Sequence, residues 1–184
     1  MKPAQPEQVL ESRSIYQGRK VDLRVDTVEL PDGTRSIREI VSVPQAVVIL
    51  PVTEDGQVHL VRQYRAAIGD YLLELPAGTL DPGESPEECA RRELIEEIGK
   101  QAHYWQWLTS FYTVPGICDE LIHLFLAREL SSAAGQPDAD EFIEVVSLPV
   151  GQAIAMARSG QLRDAKSIIG LLWIASEGWL QGNV

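Results

Sequence analysis

The sequence predicts an α+β sandwich preceded by N-terminal antiparallel strands. Three observations carry that expectation. Stretches of β type crowd residues 21–64 and 105–148, one helix between them has both of its end signals, and two further helical stretches lie at the C-terminal end.

Val21–Leu30 alternates and is rich in β-branched residues, and Pro31-Asp32-Gly33 turns the chain into Thr34–Val43, so a hairpin is expected there. Ala46–Val52 is a continuous apolar strand, Asp55-Gly56 is the next turn, and Gln57–Tyr64 is expected as its antiparallel partner. The helix should start at Ser85, an N-cap followed by Pro86 at the first helical position and Glu88 three residues after the cap, and should stop at Gly99. Beyond it, Trp105–Phe111, Leu121–Leu130 and Phe142–Leu148 read as strands, and Gly151–Arg158 and Asp164–Leu180 as helices. Ser131–Asp138 is a small polar loop, and no internal repeat stands out.

A chain of 184 residues, 45% of them hydrophobic, suits one ordinary domain with or without a small appendage. No apolar run approaches the length of a membrane span. Residues 1–6 carry no secretory signal, so Cys89 and Cys118 are expected as free thiols in a reducing cytoplasm. The net charge of −11, from 16 basic and 27 acidic residues, disfavours nucleic acid and anionic membranes as partners. A polyanionic substrate would then have to be met locally, by metal ions and a few arginines, with Arg62, Arg65 and Arg92 the candidates.

The helix holds the chemistry. At about 3.6 residues per turn, Glu93, Glu96 and Glu97 share one side. Like charges that close repel, so the arrangement calls for a cation in front of it. A cluster with only oxygen donors selects a hard ion, and Mg²⁺ prefers few carboxylates, retained waters and substrate phosphates. The expected substrate is a phosphate ester or anhydride.

Gly78, Glu84, Arg92, Glu93, Leu94, Glu96, Glu97 and Gly99 stand in the spacing G-x5-E-x7-R-E-U-x-E-E-x-G-U, U being aliphatic, and so resemble the Nudix box. Seven fixed identities at about 7% usage each arise by chance with a probability of about 10⁻⁸ per starting position. Only the last position departs, as Lys100, a cation that suits a helix C-terminus. Val61-Arg62-Gln63-Tyr64-Arg65, Leu75-Pro76-Ala77-Gly78 and Pro115-Gly116-Ile117-Cys118-Asp119-Glu120 resemble segments of the ADP-ribose pyrophosphatase branch, in which a proline usually follows the last glycine of the box at the distance of Pro115.

The resemblance implies a Nudix fold, an α/β/α sandwich with a mixed sheet, over residues 46–184, and an N-terminal β extension over residues 1–45 that forms a strand-exchanged homodimer. It implies a Nudix pyrophosphohydrolase that cleaves the diphosphate of nucleoside diphosphate sugars to a nucleoside monophosphate and a sugar phosphate. ADP-ribose is favoured and GDP-mannose and UDP-sugars are alternatives; Mg²⁺ is the cofactor, with Mn²⁺ able to replace it. Carried over by position, Glu93, Glu97 and the Ala77 carbonyl would be metal ligands, Glu96 a ligand or water-mediated partner, and Glu84 and Arg92 the residues that orient them. The catalytic base would come from the acidic loop after the box, where Glu141 aligns best and would also reach the metal, with Asp138 and Asp140 as rivals. Catalysis would then rest on Glu141, Glu97, Glu96 and Arg92, and substrate binding on Arg62, Arg65, Arg38, Pro115 and Glu120.

A base-stacking platform would come from among Tyr16, Arg38, Tyr64, Tyr112 and Trp105. His59, His103 and His123 lack a second imidazole at ligand spacing and read as structural. A dinucleoside polyphosphate hydrolase is the competing enzyme. A non-catalytic ADP-ribose-binding module would be expected to lose box carboxylates, and all are intact here. Replacing Glu141 by Gln is expected to lower kcat more than substrate affinity in steady-state kinetics, as loss of a proton acceptor does; a wild-type rate would move that role to Asp140, Asp138 or the box.

Overall fold

The computed structural model describes residues 6–135 and 142–176, so Asp138, Asp140 and Glu141 lie outside the described residues. The chain forms two compact units, one of residues 1–44 with 112–121 and one of residues 45–111 with 122–184. No helix among the described residues is long and apolar enough to cross a membrane.

The first unit is an antiparallel sheet in the order β1 (Gln8–Gln17), β2 (Asp22–Glu29), β3 (Arg35–Ser42). Strands β2 and β3 are the expected hairpin. Its turn is fastened by Leu30 N–H donating to the Thr34 carbonyl (2.8 Å) and by the Asp32 carboxylate accepting from Thr34 N–H (3.0 Å). Strand β1 escapes a hydrophobic reading because every one of its residues is exposed, including Val9, Ile15 and Tyr16. The loop 112–121 joins this unit through Val41 N–H to the Ile117 carbonyl (2.8 Å) and Val43 N–H to Asp119 Oδ1 (3.1 Å).

The second unit has two sheets. One runs β10 (Ile143–Pro149), β5 (Gln57–Arg65), β6 (Asp70–Glu74); the other runs β7 (Ala77–Thr79), β4 (Ala46–Pro51), β9 (Leu121–Ser132), β8 (Lys100–Tyr112). Strand β4 pairs parallel with β9 and antiparallel with β7, which makes the second sheet mixed. The expected pairing of Ala46–Val52 with Gln57–Tyr64 is corrected. Apart from a single bridge between Val52 and Val58, the two strands join different sheets, and β5 takes β6 and β10 as antiparallel partners. A tight turn at Asp55-Gly56 specifies only the reversal of the chain, and the two strands then find their partners in separate sheets.

Helix α1 (Pro86–Ile98) packs on one face of the mixed sheet, and α2 (Val150–Ser159) and α3 (Ala165–Ser176) on the other. The alternation of β4 divides the core. Val47 and Ile49 join Cys89, Ala90, Leu94 and Ile98 of α1, while Val48 and Leu50 join Ile154, Leu171 and Ile174 of the two later helices. Burial on both faces explains why β4 reads as an unbroken apolar run.

Candidate metal centre and diphosphate site

Helix α1 starts and stops where its sequence places the signals. The Ser85 hydroxyl accepts from Glu88 N–H (3.3 Å) while the Glu88 carboxylate accepts from Ser85 N–H (2.9 Å), and Gly99 closes the helix at φ 64°. Its apolar edge enters the core and leaves Glu93 and Glu97, both buried, on the adjacent edge.

That acidic edge faces strand β7. Antiparallel pairing sets Gly78 opposite Val47 and Ala77 opposite Val48, and Pro76 accepts from Ile49 N–H (2.8 Å), so the β7 backbone is fixed on β4. The Ala77 N–H donates to Glu97 Oε2 (3.0 Å). At Gly78 a Cβ atom would stand 1.8 Å from Glu93 Oε1, so only a residue without a side chain lets strand and carboxylate approach this closely.

Arg92 gathers the remaining acids. Its Nε and Nη2 form a bidentate pair with Glu84 (2.9 and 3.0 Å), Nη1 donates to Glu93 (2.7 Å) and Glu96 (2.9 Å), and Nη2 also donates to the Thr79 carbonyl (3.1 Å). Chiefly through that bidentate bond, Arg92 holds the Glu84 carboxyl down to about 2, with the Asp81 N–H assisting and partial burial opposing. The same acids raise the Arg92 pKa further above its ordinary value. Cys89, beneath them, is pushed up to about 12, first by burial and then by the Glu84 charge, and stays a protonated thiol. Both cysteines are free.

The donor set fits a hard divalent cation. Glu84, Glu93, Glu96 and Glu97 outnumber the guanidinium placed among them, and every side-chain donor is oxygen. Among the described residues no three His, Cys, Asp or Glu side chains converge as a ready cage.

The arginines of β5 part company. Val61 packs with α1, whereas Arg62 lies over the Tyr71 ring (5.4 Å) and lines a cavity with Leu73, Val146, Gln161 and Arg163, on the side of the sheet covered by α2 and α3. Arg65 instead donates from Nε and Nη2 to the two oxygens of buried Glu74 (2.7 Å each) and senses the charge of Glu97. Thus Ala77, Glu84, Arg92, Glu93, Glu96 and Glu97 come together, Arg65 is held by Glu74, and Arg62 leaves the strand on the other face. Arg38, Pro115 and Glu120 belong to the first unit, where Arg38 pairs with Glu7 and Glu120 accepts from the Thr113 hydroxyl (2.6 Å). The imidazoles of His59 and His123 bond to Ser147 (2.7 Å) and Ser110 (2.7 Å), and burial lowers both of their pKa values.

Glu74 was missed by sequence reasoning. The signal was a lone acid within the apolar run Tyr71-Leu72-Leu73-Glu74-Leu75, a position where burial demands a charged partner.

Because the folded-state pKa of Glu84 lies below its ordinary 4.5, the stability it contributes is complete above pH 4.5 and is lost as pH falls toward 2. Urea unfolding of wild type and Glu84→Gln is expected to show a stability difference that is constant above about pH 5 and shrinks below it; a difference independent of pH would refute the assignment.

The comparisons with known proteins agree with this geometry. The NUDIX domain family matches residues 43–169, and the nucleoside diphosphate sugar hydrolase N-terminal domain family matches residues 7–41. An ADP-ribose pyrophosphatase of Bacillus subtilis (strain 168) is 40% identical over 179 residues, covering 96% of this chain and 97% of its own. A GDP-mannose pyrophosphatase of Citrobacter koseri is 39% identical over 140 residues, 71% of this chain and 73% of its own. A solved structure described as an ADP compounds hydrolase superposes with a TM-score of 0.88 at 25% identity, over 100% of both chains. An acidic helix with this box, laid against β7 in a mixed sheet and matched by the family over most of the chain, makes the protein a member of the Nudix hydrolase family.

Proposed function

We propose that the chain hydrolyses the diphosphate bond of nucleoside diphosphate sugars, ADP-ribose foremost, to a nucleoside monophosphate and a sugar phosphate. The observation that carries this reading is the pair of buried carboxylates, Glu93 and Glu97, held against the backbone of Ala77 and Gly78. The similarity to the Bacillus subtilis and Citrobacter koseri pyrophosphatases supports the substrate class.

Glu93, Glu97 and the Ala77 carbonyl would hold Mg²⁺, with Glu96 directly or through water and Glu141 from the following loop. When bound, the divalent ion supplies charge neutralisation at the phosphate oxygens and lowers the pKa of water. The chain's own residues supply the rest. Arg92 keeps the box carboxylates in fixed rotamers through Glu84 and Glu96, Arg65 offers a cation to the departing phosphate, and a loop carboxylate, Glu141 foremost, accepts the proton of the attacking water. The protein's share is positioning and electrostatics.

We also assign the chain to the cytoplasm and infer a homodimer through the N-terminal sheet. Support for the dimer lies in Val9, Ile15, Tyr16 and Ile37, large apolar residues left exposed on β1 and β3. Sedimentation analysis is expected to give twice the mass of the chain, and a monomer at micromolar concentration would remove that inference.

Phosphate release with Mg²⁺ and a coupled phosphatase, across ADP-ribose, GDP-mannose, UDP-glucose, diadenosine polyphosphates and nucleoside triphosphates, tests the reaction. Turnover is expected for the diphosphate sugars, and Glu97→Gln is expected to cut it by at least about 100-fold while the fold persists. Turnover of the polyphosphates alone would replace the reading with a dinucleoside polyphosphate hydrolase.

A further inference from the structure

Besides Glu93 and Glu97, one carboxylate of the second unit is buried among the described residues: Glu74, 1% exposed at the end of β6. Two cations meet it. Arg65 clamps both of its oxygens at 2.7 Å, and the Lys166 ammonium, from the first turn of α3, donates to Oε2. Lys166 also donates to Asp164 Oδ1 (3.0 Å), and Asp164 Oδ2 accepts from Ser167 N–H (3.0 Å). The Ser167 hydroxyl oxygen accepts from Leu75 N–H (2.6 Å), so the same network pins the segment that leads into Ala77 and Gly78. Two acids and two bases leave the set without net charge.

Stability alone does not explain so many ions. Desolvation offsets most of what a buried ion pair contributes, and an apolar set of equal volume commonly stabilises as well. What the ions add is orientation. A bidentate carboxylate fixes the plane of a guanidinium, and an ammonium could not copy that geometry. Glu74 occupies the Nε and Nη2 edge of Arg65 and leaves Nη1 outside the clamp, on a side chain that is still 40% exposed.

We infer that Glu74 is a positioning residue: it holds the Arg65 guanidinium in a fixed plane at the end of β5, with Nη1 turned toward a phosphate oxygen of the diphosphate, while Lys166 balances the buried charge. The inference rests on the diphosphate-hydrolase reading above. Lys166 has no part in presenting Arg65 beyond that balance.

The test is a double-mutant cycle on ADP-ribose turnover, accompanied by calorimetric binding of α,β-methylene ADP. Glu74→Gln is expected to lower kcat/KM by about 10- to 100-fold and to weaken binding of the analogue, with the metal dependence of the rate unchanged because the α1 acids are untouched. On an Arg65→Ala background the same change is expected to cost less than about twofold. Lys166→Met is expected to stay within about threefold of wild type, since the Arg65 clamp remains. Should Glu74→Gln fail to fold, Glu74→Gln/Lys166→Met removes both buried charges and carries the same comparison. Independent, multiplying losses at Glu74 and Arg65, or unchanged binding of the analogue in Glu74→Gln, would overturn the inference while leaving the reaction intact. A wild-type protein that turns over no diphosphate sugar overturns both.

Discussion

The approach of the β7 backbone to helix α1 is the constraint on which the site depends. Strand β7 can lie there because its pairing with β4 holds it down and because Gly78 has no side chain to strike Glu93. The approach brings the Ala77 amide to Glu97 and the Thr79 carbonyl to Arg92, so backbone and helix satisfy each other's polar groups in a partly buried place. Four carboxylates crowd that seam. They coexist because Arg92 spreads one guanidinium over Glu84, Glu93 and Glu96 and an amide answers Glu97.

Energetics separate the two edges of α1. Burial of a side chain such as Leu94 against β4 and β9 contributes about 1.5–3 kcal/mol, whereas burying a carboxylate is a cost that only paired charges and hydrogen bonds offset. The apolar edge therefore anchors the helix, and the acidic edge is held in a state that a cation relieves. Such a layout concentrates negative charge along one edge of α1, in a protein whose overall charge is itself −11.

Arg92 and Arg65 follow one design. Each is locked by a bidentate carboxylate, Glu84 in one case and Glu74 in the other, and each thereby acquires a fixed direction. They differ in surroundings. Arg92 spends its remaining donors on the box acids and a carbonyl, whereas Arg65 keeps an amino group outside its clamp. The first orients carboxylates; the second is oriented.

Helix α1 was legible in the sequence down to its caps, because Ser85, Glu88 and Gly99 act on backbone groups within a few residues of themselves, and the spacing of Glu93, Glu96 and Glu97 follows from the helical period alone. Strands β2, β4, β5 and β9 were legible because one or both of their faces are buried. Strand β1 was not, since an exposed strand needs no apolar pattern, and β6 and β7 are too short to show a period. Sequence alone offered both Arg62 and Arg65 to the substrate, but not whether they lie on the same face of the strand. Only the tertiary structure decided that, along with the separation of β4 from β5, the clamp of Glu74 on Arg65 and the reach of Lys166 from α3. Local signals act through neighbouring backbone, whereas sheet order and long-range ion pairs are chosen by how the buried surfaces of distant segments fit together.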